Sequence, residues 1–77
     1  MTLNQAVGIR LKKLLEEKEW NNNTVQREGG VPRVTVGRIV GSKIKTVKLD
    51  TLYQITQTMG ISLKEFFDDP IFDNLLD

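Results

Sequence analysis

Five residues in the first half of the chain, Gly29-Gly30-Val31-Pro32-Arg33, limit its possible folds more than any other stretch. A backbone that reverses between two helices needs a residue able to take positive φ, and glycine does so without a Cβ clash. Proline directly after such a reversal suits the first turn of a new helix, where its missing N–H would have had no partner. The residues before the pair read as helix, and so does Arg33-Val34-Thr35-Val36-Gly37-Arg38-Ile39-Val40 after it. That second helix carries Val36, Ile39 and Val40 on one side and two arginines, a threonine and a glycine on the other. It is half core and half free for something else.

The 77 residues make one domain, 1–77, near the lower size limit for a self-sufficient core, where pairing with a second copy often adds stability. Without cysteine there is no disulfide or thiolate metal site, and without histidine the commonest general base and metal ligand is missing. Catalytic, metal and cofactor sites are therefore not expected, and neither is a small-molecule effector pocket, since the core needs almost every apolar residue. No apolar run nears the roughly 18 residues of a membrane span, so a soluble, cytoplasmic protein is expected. The net charge of +1 hides a division. Residues 1–48 hold ten Lys or Arg against four Glu, whereas residues 49–77 hold Lys64 against six acids. Between Glu28 and Asp50 there are five cations and no acid, which points to a polyanionic partner or, more blandly, to a solvated lysine-rich loop.

Taken in order, Thr2 and Gln5 form a capping-box pattern. Leu3, Val7, Leu11, Leu14 and Leu15 then recur at helical spacing to near Lys18, with Arg10, Lys12 and Lys13 on the other face. Trp20 is read as packing over the core. Asn21, Asn22 and Asn23 are good N-caps, so a second helix is expected to start among them and run through Glu28. Beyond the third helix, Lys43-Ile44-Lys45-Thr46-Val47-Lys48 alternates like a strand but has no partner strand, so an extended loop is expected. A fourth helix over 49–59 places Leu49, Leu52, Ile55, Thr56 and Met59 on one face and stops at Gly60. Ser62 with Glu65 caps a fifth, which turns Leu63, Phe66 and Phe67 inward. Asp69-Pro70 reads as cap and first position of a short sixth helix. Its Ile71, Phe72, Leu75 and Leu76 fall on one stripe beside Asp73, Asn74 and Asp77. Segment 69–77 is therefore either a dimerisation surface or a lid folded back on the domain.

These residues carry a resemblance. The pattern of Asn21 to Ile39, with a basic helix before it and Asp50-Thr51-Leu52 and Gly60-Ile61-Ser62-Leu63-Lys64-Glu65-Phe66 after it, resembles the lambda-repressor-like, or Xre, helix-turn-helix family over about residues 7 to 67. The resemblance implies an all-α, compact five-helix domain whose second and third helices form the motif. This chain departs from the family at Gln26, where a small residue is usual. It departs again at Leu15 and Val40, which replace an arginine and glutamate pair, and at Val40-Gly41-Ser42, where the turn glycine is shifted by one place.

The resemblance also implies a partner, a double-stranded DNA operator read in the major groove by the third helix. Arg33, Val34, Gly37 and Arg38 match the groove-facing positions. Arginine can donate two hydrogen bonds to guanine, valine can touch a thymine methyl, and Gly37 either allows closer approach to DNA or is tolerated drift. Thr35, Asn22, Lys43, Lys45 and Lys48 match phosphate-binding positions. The function expected by analogy is a repressor acting as a homodimer, with Ile71, Phe72, Leu75 and Leu76 as the dimerisation candidates. The alternatives are a protein-interaction module such as an antitoxin subunit, or an activator that touches polymerase with an acidic patch.

Overall fold

Local rules place most of the helix ends. In the computed structural model, which describes residues 1–76, the Thr2 hydroxyl accepts from the Gln5 amide and the Gln5 side chain accepts from the Thr2 amide at 2.9 Å. Helix α1 (Leu3–Lys18) follows and ends at Glu19, which takes the left-handed conformation with φ 58°. Asn21 caps α2 (Asn22–Gly29) by accepting from the Thr24 amide at 2.9 Å, and Gly30 ends it at φ 80°. Helix α3 spans Arg33–Val40, α4 spans Leu49–Met59 and stops at Gly60 with φ 76°, and α5 (Leu63–Phe67) opens on the Ser62/Glu65 capping box. A 3-10 turn, Pro70–Phe72, closes the order, and there is no strand among the described residues.

The core is single. Leu11 of α1, Val25 of α2, Val36 and Ile39 of α3, Ile55 of α4 and Phe66 of α5 are fully buried together, so all five helices share one centre. Leu15 is buried and Val40 packs against the core, so the apolar replacement of a charged pair leaves neither partner stranded. Trp20 packs on the core as expected, with the Lys18 ammonium 5.3 Å from its ring. Leu3 and Leu49 depart from the expected pattern at 44% and 65% exposure, because each is the first residue of its helix and reaches past the edge of the core. The loop after α3 forms no strand and, rather than running straight, bends at Ile44 and Lys45, with Ile44 and Val47 packed on the core and the Asn4 amide donating to the carbonyls of Ile44 and Lys45.

The two glycines of the turn do different work. Gly30 supplies the positive φ. Gly29 is helical, but a Cβ there would lie 1.9 Å from Thr58 Oγ1, so its missing side chain lets α2 and α4 meet. Gln54 of α4 bonds the Gly29 carbonyl at 2.8 Å across that contact. Pro32 stands one place earlier than the first turn of α3. It is the residue before the helix, with φ −56° and ψ 136°, and its carbonyl accepts the Val36 N–H.

The C-terminal segment is bound to α1. Arg10 donates to the carbonyls of Phe66 at 2.8 Å and Glu65 at 2.9 Å, and it pairs with Asp69 at 3.4 Å, as does Lys13. Asp69 also accepts from the Ile71 amide at 2.9 Å. That backbone bond, followed by the Lys13 and Arg10 charges, holds its carboxyl below the ordinary carboxylate range against a desolvation that acts the other way. Phe72 closes a ring cluster with Phe66 and Phe67, at centroid distances of 6.0 and 4.9 Å. Phe67 itself stays 38% exposed rather than turning fully inward.

The expected helical stripe is not formed. Helical geometry ends at Phe72, Asp73 is extended and Asn74 takes φ 60°, so Ile71, Phe72, Leu75 and Leu76 do not share one helix face. Phe72 packs inward, Leu76 is 84% exposed, and the Leu76 N–H bonds the Met1 carbonyl at 3.1 Å. Asp77 lies outside the described residues.

Candidate nucleic-acid interface

Helix α3 is anchored from below and bare above. Val36 and Ile39 are buried, which turns Arg33, Val34 and Arg38 outward; Val34 is 66% exposed and both arginines are exposed. Residues 33, 34, 37 and 38 lie one turn apart in pairs, so the four candidate base readers share a single face. Gly37 is half-buried within that face, and a Cβ there would come 3.2 Å from Asn22 Nδ2. The glycine therefore makes room first for the beginning of α2, a third reason beyond closer approach to DNA or drift.

The backbone-binding candidates fall into two groups. Asn22 sits at the first turn of α2 beside Gly37, while its neighbour Asn21 is occupied as the cap. Thr35, Lys45 and Lys48 lie around one cleft of about 410 Å³ between α3, the lysine loop and the start of α4, together with Thr51, which the sequence reading did not single out. Its only signal in the chain is its place in Asp50-Thr51-Leu52, at the start of α4. Lys43 lies apart from the cleft; its backbone N–H bonds the Arg38 carbonyl at 2.8 Å, so it continues directly from the end of α3. The dimerisation candidates belong to the other segment of the molecule, the one bound to α1.

The turn from α3 into the lysine loop has its left-handed residue just after the shifted glycine. Gly41 has an ordinary φ of −84°, and Ser42 takes the left-handed one at 56°. Its N–H bonds the Ile39 carbonyl at 3.1 Å. Gly8 of α1 lies directly beneath, where a Cβ would be 2.5 Å from the Ile39 carbonyl oxygen.

The other departure, Gln26, has a definite position. Its side-chain oxygen accepts the Arg33 N–H at 2.7 Å, so the residue reaches from α2 to the first turn of α3. Electrostatically the interface is uncompensated. Arg33, Arg38, Lys43, Lys45 and Lys48 are all exposed, and none is in an ion pair among the described residues. No cluster of acids able to hold a metal and no helix long and apolar enough to cross a membrane occurs among those residues.

Compared with known protein families, residues 10–70 match the Cro/C1-type HTH DNA-binding domain. No curated protein and no solved structure matches the chain.

Proposed function

The chain belongs to the Cro/C1-type helix-turn-helix DNA-binding family, and from that premise we propose that it is a cytoplasmic transcriptional repressor. It binds a palindromic operator as a homodimer, its two α3 helices entering successive major grooves about 34 Å apart. The observation that carries this reading is the exposed, acid-free run of five cations from Arg33 to Lys48, arranged along α3 and the loop that follows it. Arg33 and Arg38 read guanine edges, Val34 meets a thymine methyl, and Gly37 lets the helix sit close. Thr35, Asn22, Lys43, Lys45 and Lys48 grip phosphates and fix the register. Repression follows from an operator that overlaps a promoter. The protein works by binding and not as an enzyme.

Selection of bound sites from random DNA supplies the operator, and two variants then separate the roles. Arg38→Ala is expected to cost about 1–3 kcal/mol on the operator and to relax base preference at one position, whereas Lys45→Ala weakens operator and scrambled duplex alike and lowers the salt slope by about 1. Equal losses from both variants on both duplexes would remove the assignment. For assembly, sedimentation with and without operator tests the homodimer. Leu75→Asp with Leu76→Asp is expected to shift the complex from two chains to one; a complex that keeps two chains would place the interface elsewhere.

A further inference from the structure

Gln26 lies on the exposed surface of α2, yet both of its oxygens are engaged at the turn. Its backbone carbonyl accepts the Gly30 N–H at 2.8 Å, which closes α2, and its side-chain Oε1 accepts the Arg33 N–H at 2.7 Å, which opens α3. One residue therefore brackets the whole reversal. The first N–H groups of a helix normally receive an acceptor from the residue just before it, and here that residue is Pro32, which makes no side-chain cap bond. Gln26 supplies an acceptor to the first of these N–H groups, from the neighbouring helix.

The bond ends on the backbone of Arg33, so it fixes where that side chain leaves α3 relative to α2. Arg38 has no such dependence. It lies five residues further on, between Val36 and Ile39, which the core holds.

We infer that Gln26 is a positioning residue for base selection by Arg33: its Oε1, bonded to the Arg33 N–H, aims one end of the reading face and leaves the Arg38 end alone. This rests on the reading of Arg33 as a base contact.

The test uses the full chain, an operator selected from random DNA, and a set of duplexes with each base pair changed in turn. Arg33→Ala and Arg38→Ala first mark the pairs each arginine selects. Gln26→Met keeps the length of the side chain and removes the acceptor. It is expected to lose about three- to tenfold of discrimination at the Arg33 pairs, the worth of one hydrogen bond. Discrimination at the Arg38 pairs and affinity for a scrambled duplex stay as in the wild type. Gln26→Glu keeps an acceptor and restores discrimination at the Arg33 pairs, even if its charge lowers affinity for every duplex by the same factor. A uniform loss at all pairs with Gln26→Met, or no change at any, overturns the proposal. If Arg33→Ala relaxes no pair, base reading by Arg33 falls and the inference falls with it. Exchange of the Arg33 amide proton, slow in the wild type and in Gln26→Glu and fast in Gln26→Met, then still shows whether the bond exists.

Discussion

Helix α3 and the C-terminal 3-10 turn are both too short to stand alone, and the molecule holds them by opposite means. The C-terminal turn is held by charge. Arg10 reaches the carbonyls of Glu65 and Phe66, Arg10 and Lys13 both face Asp69, and three aromatic rings close over the junction. Helix α3 is held by neutral contacts alone: the buried Val36 and Ile39, the Gln26 amide at its start, and Gly8 beneath its last turn. The difference has a physical reason. An acid placed to secure α3 would cancel part of the field that five cations, in no ion pair among the described residues, present to a polyanion. An element that must show its charge to a partner is best fixed by shape and amide bonds.

Gly8→Ala attacks that contrast most strongly. Its Cβ would meet backbone oxygens of Ile39 and Val40 at 2.5 and 3.0 Å, so the end of α3 has to move. A loss of about 1–3 kcal/mol is expected in urea unfolding, with weaker binding to every duplex. Unchanged stability would show that close approach does not hold α3. Arg10→Met works on the other element: about 1–3 kcal/mol of stability is lost with the bonds to two carbonyls, while the salt slope of DNA binding stays as in the wild type. A changed slope would mean that the two regions are coupled. Ser42→Gly relieves a left-handed φ of 56° and is expected to gain about 0.5–1 kcal/mol in thermal unfolding.

The smallest effect is that of Asp69→Asn, which keeps an acceptor for the Ile71 amide and removes the charge. The Asp69 carboxyl is held low by that amide first and by the two cations after it. A lowered folded value contributes stability that is fully present above the ordinary carboxylate range and is lost as pH falls from there through the lowered value. Wild type and variant should therefore differ at pH 7 and converge as pH falls below the ordinary carboxylate range in parallel unfolding curves. A constant difference at all pH values would detach Asp69 from the clasp.

What could be read from the chain was whatever local rules decide. Thr2 with Gln5, Ser62 with Glu65, Asn21, Gly30, Gly60 and Asp69-Pro70 each act within a few residues, and all appear at their places. The inward faces of α3 and α4 followed from helical period, apart from Leu49 at the rim. The rest depends on partners distant in sequence. Arg10 looked like one more solvent-facing cation because the carbonyls it serves lie more than fifty residues away. Gln26 reads only as a departure from the small residue usual in the family, because an isolated chain does not show that its side chain reaches the Arg33 N–H across the turn. The apolar residues from Ile71 to Leu76 matched a helix stripe, and periodicity alone does not register that the chain leaves helical geometry at Asp73 and turns left-handed at Asn74.

Gly29 and Gly30 show how much two identical neighbours can differ. Position 30 rejects ordinary side chains by handedness alone, for at φ 80° its nearest neighbour to a Cβ is 3.9 Å away. Position 29 rejects them by volume, since Thr58 already fills the space. In a chemically synthesised chain, a mirror-image D-alanine would therefore be accepted at 30, where its chirality suits the backbone. At 29, inside a right-handed helix, the mirror-image residue would have no such match to the backbone.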